Sequence, residues 1–470
     1  MQEPLPDPVA ALFPDAASRA QVSHWLTEAL EAAAQRVQAG PVIPTIDAQK
    51  FREELAAFDL GAPRPLQEAL SWAIEHMEHG IVQMSNPRYF GLFNPGANFP
   101  AQCADHIVAL FNPQLASSAS SPVPVALESH LIRSIASRAG FGPETTGHFA
   151  TGGSEANYTA LICALTSANA NFARDGVRAF GAPVVFYTSR DCHIAWLKIA
   201  HQAGVGRAAL RLVDTDGQGR MDINALLRDI AADRAAGSVP VMVVATAGTT
   251  GGGMIDPLMA CADIAAREKL WFHVDAAWGG AALASEKLRG LLAGIERADS
   301  LIIDAHKWLA TTMGCAVFIT RHGHLLSEAF HASTSFMPSS VATVDPYLNS
   351  VQWSRRFLGL RLFLALAAAG WEGLGKHVER GVEVVERVKI GLVAAGWTVL
   401  NDSKLAVLDA IPPPALGEVR ALVRRVVDSG RAWVAPVLFE GRDAVRICAT
   451  NGQTSEKDID ALIAALNAAP

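Results

Sequence analysis

Between about residues 148 and 320, short apolar and β-branched runs alternate with segments of helical spacing, a pattern that few architectures accept. Strands are expected at 184–187, 210–213, 239–246, 270–274, 300–303 and 316–320, with helices between most of them. Strands joined through helices return in parallel, so the pattern predicts a mainly parallel sheet covered by helices on both faces. In such α/β sheets, ligands bind beyond the carboxyl ends of the strands. The flanks differ. Residues 17–39 carry apolar groups at helical spacing, Pro41 and Pro44 break that run, and a second helix is expected from Asp47. After about residue 370, a long helix (377–395), a strand near 397–400, a helix at 415–429 and strands at 432–438 and 444–449 predict a smaller α+β unit. The expected division is therefore a helical segment 1–85, a large ligand-binding unit 86–370 and a C-terminal unit 371–470. The stretch 85–124 is rich in Asn, Pro, Gly and Ser, with aromatic residues interleaved, and is expected to line a site or an interface.

Composition removes several functional classes. With 470 residues, 50% hydrophobic and 18% charged, the chain can bury a large core, which excludes wholesale disorder. A formal net charge of −7 and the lack of a basic run disfavour nucleic acid and acidic membranes as partners. The apolar run 357–371 is interrupted by Arg361 and is too short for roughly 30 Å of hydrocarbon, so it is expected as a buried helix. The first residues include Glu3, Asp7 and Asp15, with neither a basic start nor an apolar core, which leads us to expect a cytoplasmic location. Six scattered cysteines without a C-x-x-C pair predict buried free thiols, and no metal site is expected.

Polar residues gather where the strands are expected to end. TGGSEAN (151–157) opens a helix: Gly152 and Gly153 allow close approach to the backbone, Ser154 offers a hydroxyl, and the helix start attracts a phosphate. A plain helix cap explains the same residues. His193 follows the strand near 187, where a structural histidine is the competing explanation. Thr249 and Thr250 stand among four glycines after the strand ending at 246, consistent with either a tight turn or a contact with a small molecule. Asp275 ends a run that should be buried, and a buried carboxylate needs a cationic or proton-donating partner. Lys307 follows another apolar strand. It is either a snorkelling surface lysine or an amine freed by burial to form a Schiff base. Taken together, a phosphate cradle, an imidazole, hydroxyls, a buried acid and a lysine on one rim form the set that pyridoxal phosphate requires.

TGGSEAN, HVDAAWGG (273–280) and DAHKW (304–308), in this order, resemble the fold-type I, group II pyridoxal-phosphate decarboxylases of aromatic amino acids, glutamate and diaminobutyrate. The similarity runs from about residue 86 to residue 447. It implies a mainly parallel seven-stranded sheet, a homodimer with shared active sites and N-terminal helices packed across the two-fold axis. It further implies that Lys307 holds the cofactor, Asp275 keeps the ring nitrogen protonated, and Ala277 and His193 cover the two ring faces. Gly153 and Ser154, with His306, would hold the phosphate, and Thr249 would lie near the ring. The family's proton donor is a tyrosine on a loop before a paired arginine. Here Trp353-Ser354-Arg355-Arg356-Phe357 resembles the arginine motif and Tyr347 stands shortly before it, although the expected register falls on Pro346. Family members without that tyrosine release an aldehyde, so oxidative deamination stays beside simple decarboxylation. Leu115 to Pro122 also lacks the bulky aromatic of many relatives.

The expected activity is decarboxylation of an L-amino acid to its amine and carbon dioxide, with an aromatic side chain first and acidic or diamino side chains next. Tyr89, Phe90 and Phe93 are candidate substrate contacts, with interface packing as the alternative. Arg446 is expected to be structural. An aminotransferase is the enzymatic rival and a catalytically dead binding protein the non-enzymatic one. A hydrolase would rest on Gly152-Gly153-Ser154-Glu155-Ala156, which lacks the final glycine of a nucleophile elbow. Gly204 to Ala209 follows a helix, not the strand that a dinucleotide loop needs. Glu75 to His79 lacks the order of a zinc-binding helix and is expected as a solvated face.

Overall fold

The computed structural model describes residues 8–331 and 345–468. Helix Ala16–Ala39 starts at Asp15, whose side chain accepts the Ser18 N–H, and stops at Gly40. Asp47 caps Ala48–Ala56 in the same way, and Leu66–Gly80 follows. Seven strands form the large sheet: β1 (Thr146–Ala150), β2 (Val184–Ser189), β3 (Leu210–Val213), β4 (Val239–Thr246), β5 (Trp271–Asp275), β6 (Ser300–Asp304) and β7 (Ala316–Thr320). Their spatial order is β1-β7-β6-β5-β4-β2-β3, and only β7 runs antiparallel to its neighbours. Every residue of β2, β5, β6 and β7 is buried, which is why these strands appear in the sequence as continuous apolar runs. Fully buried Trp196, Phe186 and Phe318 add large side chains to this packing, at about 1.5–3 kcal/mol each. The chain reverses its progress across the sheet between β2 and β4, and their carboxyl ends lie side by side there.

A second, antiparallel sheet comprises β8 (Thr398–Val399), β9 (Val407–Ile411), β10 (Ala435–Phe439) and β11 (Arg442–Cys448), in the order β10-β11-β9-β8. One long helix, Gly359–Ala394, connects the two sheets, with a kink at Gly370, where φ is 63°. Its first half is the buried helix expected at 357–371.

Several elements differ from expectation. The stretch 85–124 is not one loop: Phe99–Phe111 is a helix, with Asn98 as its N-cap and Pro100 in its first turn. Proline breaks a helix interior but suits that first turn, so a breaker in composition is a starter in place. Strand β1 was not expected because Gly147 interrupts it; a Cβ there would collide with the Phe318 carbonyl of β7. Strand β9 carries a fully buried Asp409 at its centre, which hides its apolar character. The final helix, Glu456–Leu466, begins with a capping box formed by Ser455 and Asp458. Cysteines 163, 261, 315 and 448 are buried free thiols, whereas Cys103 and Cys192 are partly exposed. Among the described residues, no helix is long and apolar enough to cross a membrane.

Candidate active site

Asp275 is the last residue of β5 and is 4% exposed. Its Oδ2 accepts the Asn157 side-chain N–H at 2.8 Å and the Trp196 indole N–H at 3.3 Å, and its Oδ1 accepts the Ala277 backbone N–H at 3.2 Å. Behind Asn157 stands a directed chain. His273 Nε2 lies 2.8 Å from Asn157 Oδ1, His273 Nδ1 lies 2.8 Å from Ser300 Oγ, and the Trp271 indole donates to that Oγ at 2.9 Å. Because the Asn157 amide nitrogen donates to Asp275, its oxygen must accept, so His273 carries its proton on Nε2. Burial pushes the His273 pKa down to about 4, which keeps the ring neutral. Each donor in the chain therefore points toward Asp275. No protein cation pairs with this carboxylate among the described residues, an environment that fits a protonated heterocyclic nitrogen as the missing partner.

Removing Asn157 strands both neighbours. Asn157→Ala is expected to cost about 1–3 kcal/mol in denaturant unfolding, through the unpaired His273 and Asp275 groups. A loss under about 0.5 kcal/mol would show that the chain of donors is not held as described.

Lys307 follows β6, and its Nζ lies 3.0 Å from Asp304 Oδ2. Among the described residues, the remaining Asp304 oxygen is buried without a partner, as are the hydroxyls of Ser189 at the end of β2 and Thr246 at the end of β4. Such orphaned groups on a strand-end rim suit a polar ligand. Helix Gly153–Ala168 points its first turn at the same rim. Gly153 has a packing role there, because a Cβ would come within 2.9 Å of Asp304 Oδ2. Gly152 faces open space and Ser154 is exposed. Glu155 steadies this start: its Oε2 accepts the N–H and hydroxyl of Thr151 and the side-chain amide of Gln352. His306 is buried, with Nδ1 2.9 Å from the Cys315 carbonyl oxygen and Nε2 3.9 Å from Asp304.

The other expected residues divide into those on the rim and those away from it. His193 is exposed after β2, and its Nδ1 accepts the Ala195 N–H at 3.1 Å. Partial desolvation lowers its pKa, and Lys307 acts in the same direction against Asp275 and Asp304. Ala277 links two strand ends: its N–H meets Asp275, and its carbonyl accepts the Asp304 N–H. Thr249 is buried, and its hydroxyl oxygen is occupied by the Met254 N–H at 3.0 Å, so it acts first as a turn residue.

Tyr89 and Phe90 correct the expected substrate contacts. Tyr89 stacks on Trp433 and is 2% exposed, while Phe90 is fully buried and bonded through its backbone to Trp433 and Cys448. Both are used in packing against the second sheet, and Phe90 has no face left for a substrate. Phe93 packs on Trp278 and lies beneath the Arg446 guanidinium. Tyr347 donates its N–H to the Ala116 carbonyl and places its ring against Trp353. No hydrogen bond or ring contact joins it to Lys307 or His193 among the described residues, and residues 332–344 before it lie outside them.

The residues missed in the sequence are Asn157, Trp196, His273, Ser300 and Asp304. A local signal existed for two of them: His273 lies two positions before Asp275 on one strand face, and Asp304 lies three before Lys307. The other contacts join separate elements.

A doubly wound sheet with a lysine, an acid fed by neutral donors and a helix start on one rim defines a fold-type I pyridoxal-phosphate enzyme. The solved structure of mouse CSAD has this fold, with a TM-score of 0.89 at 26% identity, covering 96% of this chain and 98% of that one. Residues 62–397 match the pyridoxal-dependent decarboxylase conserved domain, and the chain belongs to that family, whose members remove the carboxylate of an amino acid with pyridoxal phosphate as cofactor. An aromatic-L-amino-acid decarboxylase from Bacillus atrophaeus is 27% identical over 433 residues, covering 89% of this chain and 88% of the relative. A cysteine sulfinic acid decarboxylase from Mus musculus is 34% identical over 320 residues, covering 66% and 64%.

Proposed function

We propose that this decarboxylase acts on an aromatic L-amino acid and returns the amine with carbon dioxide. When bound, pyridoxal phosphate supplies an electron-withdrawing ring that accepts the electron pair left at Cα. Lys307 holds the cofactor aldehyde, Asp275 receives the ring N–H, and the first turn at Gly152, Gly153 and Ser154 receives the phosphate, with His306 supporting the Lys307 turn. Three neutral donors hold Asp275 in place, so its charge is oriented before the substrate arrives. Ala277 and His193 cover the two ring faces. With Nδ1 accepting from Ala195, neutral His193 presents Nε2–H outward and holds a proton near the reacting carbon. Tyr347 is the candidate loop donor for the final protonation at Cα; loss of that proton transfer would favour the aldehyde over the amine.

The commitment of Arg446 carries the choice of side chain. Its Nη1 donates to the Thr250 carbonyl at 2.6 Å and its Nη2 to the Gly91 carbonyl at 3.0 Å, so both terminal nitrogens are already engaged, while Nε has no partner among the described residues. Lys307 is likewise paired with Asp304. An acidic side chain would have to draw Arg446 off its carbonyls, whereas an aromatic one requires no such exchange. The mouse relative, named for a sulfinic acid, supports the acidic alternative, with Arg446 as the group that would turn. A homodimer belongs to the same proposal, supported by the exposed apolar side chains of Phe99, Leu110 and Phe111 on helix Phe99–Phe111.

A panel of the common L-amino acids with cysteine sulfinate and diaminobutyrate tests the assignment, scored for carbon dioxide, amine, aldehyde and peroxide. Aromatic substrates are expected to exceed acidic ones by about 100-fold or more in kcat/KM, equivalent to roughly 3 kcal/mol of uncompensated charge. The opposite ranking overturns the aromatic assignment, and aldehyde with peroxide in place of amine overturns simple decarboxylation.

A further inference from the structure

The seam between the two sheets holds a buried acid that the decarboxylation chemistry does not use. Asp409 sits at the centre of β9, fully buried, and neither of its carboxyl oxygens has a hydrogen-bond partner among the described residues. Directly opposite on β11 stands Arg446. Opposed positions of an antiparallel pair send their side chains to the same face, with Cβ atoms about 4.5–5.5 Å apart. A guanidinium and a carboxyl are therefore within easy reach of each other, yet no hydrogen bond joins them.

Arg446 turns instead to segments packed on the small sheet, through the Thr250 carbonyl just after β4 and the Gly91 carbonyl. The same turn after β4 closes over Asp409: a Cβ on Gly252 would come within 3.1 Å of Asp409 Oδ2, and the Asn401 side chain joins the Gly252 carbonyl to the Asp409 N–H. The charged and titratable groups facing Asp409 are Arg446, Asp191 and Cys448. Cys448 is a buried thiol pushed up to about 12, so it stays neutral. Asp191, after β2, is itself pushed up by burial and by Glu440, with Arg190 opposing. Burial without donors, aided by Asp191, outweighs the pull of Arg446 and pushes the Asp409 carboxyl up to about 8, so it is uncharged at neutral pH.

We propose that Asp409 is a positioning residue for Arg446: its uncharged carboxyl leaves the guanidinium on the Thr250 and Gly91 carbonyls, and its ionisation draws the guanidinium onto itself and releases both segments. The strength of the competing acceptors carries this. A neutral carboxyl competes poorly with two carbonyls held at 2.6 and 3.0 Å, whereas a carboxylate in a dry seam is the stronger acceptor for a cation that does not lose its proton. The Asp409 proton passes to solvent, and no covalent bond other than its O–H changes. Thr250 belongs to the turn that carries Thr249, so its release loosens the β4 side of the strand-end rim. The switch does not depend on which amino acid the enzyme accepts.

Hydrogen exchange of the holoenzyme, native against Asp409→Asn, tests this at about pH 6.5 and about pH 9, on either side of the Asp409 midpoint. The amide keeps the shape and cannot ionise, and comparison at a single pH cancels the intrinsic exchange rates. Peptides spanning 88–93 and 247–254 are expected to exchange at least about threefold faster in the native enzyme at the higher pH, and alike in both proteins at the lower one. Stability supplies a second measurement. Folding raises this carboxyl from about 4 to about 8, so its contribution to stability falls as the pH rises through that window, and the melting temperature of the native protein should drop progressively below that of the variant. Equal exchange of the two proteins at the higher pH overturns the proposal, as does a difference already present at the lower pH, which would make Asp409 a structural residue only. A melting-temperature gap that does not widen with pH also overturns it, because the titration would then belong to another group such as Asp191. If Asp409→Asn does not fold, Asp409→Leu, which also cannot ionise, serves the same comparison.

Discussion

Lys307→Arg is expected to reduce carbon dioxide release by at least about 10³-fold while leaving the fold intact. Arginine keeps a cation beside Asp304, whose carboxylate holds Lys307 Nζ at 3.0 Å, so no buried acid is stranded. A guanidinium stays protonated and does not form the Schiff base that a lysine amine forms, so chemistry and packing separate in this variant. Borohydride reduction followed by peptide mapping should label position 307 in the native enzyme, and the variant should lose the visible absorbance of the bound cofactor. Labelling of a different lysine, or activity within tenfold of native, would remove Lys307 from the centre of the site. Lys307→Ala would be less informative, because it leaves Asp304 with neither oxygen partnered.

Asp275→Asn is expected to lower kcat by roughly 10²- to 10³-fold with the cofactor still covalently held. The substitution preserves shape but removes the negative charge at the ring nitrogen. It also disturbs its surroundings: the groups facing Asp275 are the N–H donors of Asn157, Trp196 and Ala277, and an amide presents only one acceptor to them. A modest fall in stability should therefore accompany the fall in rate. The two effects separate by measuring kcat on cofactor-saturated protein alongside denaturant unfolding. Near-native kcat would mean that the donor chain from Trp271 to Asp275 serves the core and not the chemistry.

The candidate site was legible as a set of residues and not one residue at a time. Asp275 and Lys307 each stand at the end of a buried apolar run, where ligands bind in such sheets, but each alone also fits a structural role, and it is their joint occurrence that marks them as candidates. TGGSEAN marks a helix start. Residues whose value depends on a partner were invisible or misassigned. Asn157 was quoted only as the last letter of a motif, yet it joins His273 to Asp275 across two elements. Tyr89 and Phe90 had the composition of a substrate pocket, but Trp433, more than 300 residues later, covers them.

By itself the sequence determined the period of the elements: alternation of apolar strands and helices imposes a parallel sheet, and turn-forming residues after each strand mark its chemical edge. Those are short-range consequences of backbone sterics and burial, complete within about ten residues. Only the tertiary structure decided how each charge is satisfied. Asp275 receives neutral donors, Asp304 receives Lys307, and Arg446 meets two backbone carbonyls, while Arg355 Nε and Nη1 and Arg446 Nε have no partner among the described residues. Desolvation makes each of those pairings a matter of kcal/mol, and the partners are set by which distant segments the core packing brings together.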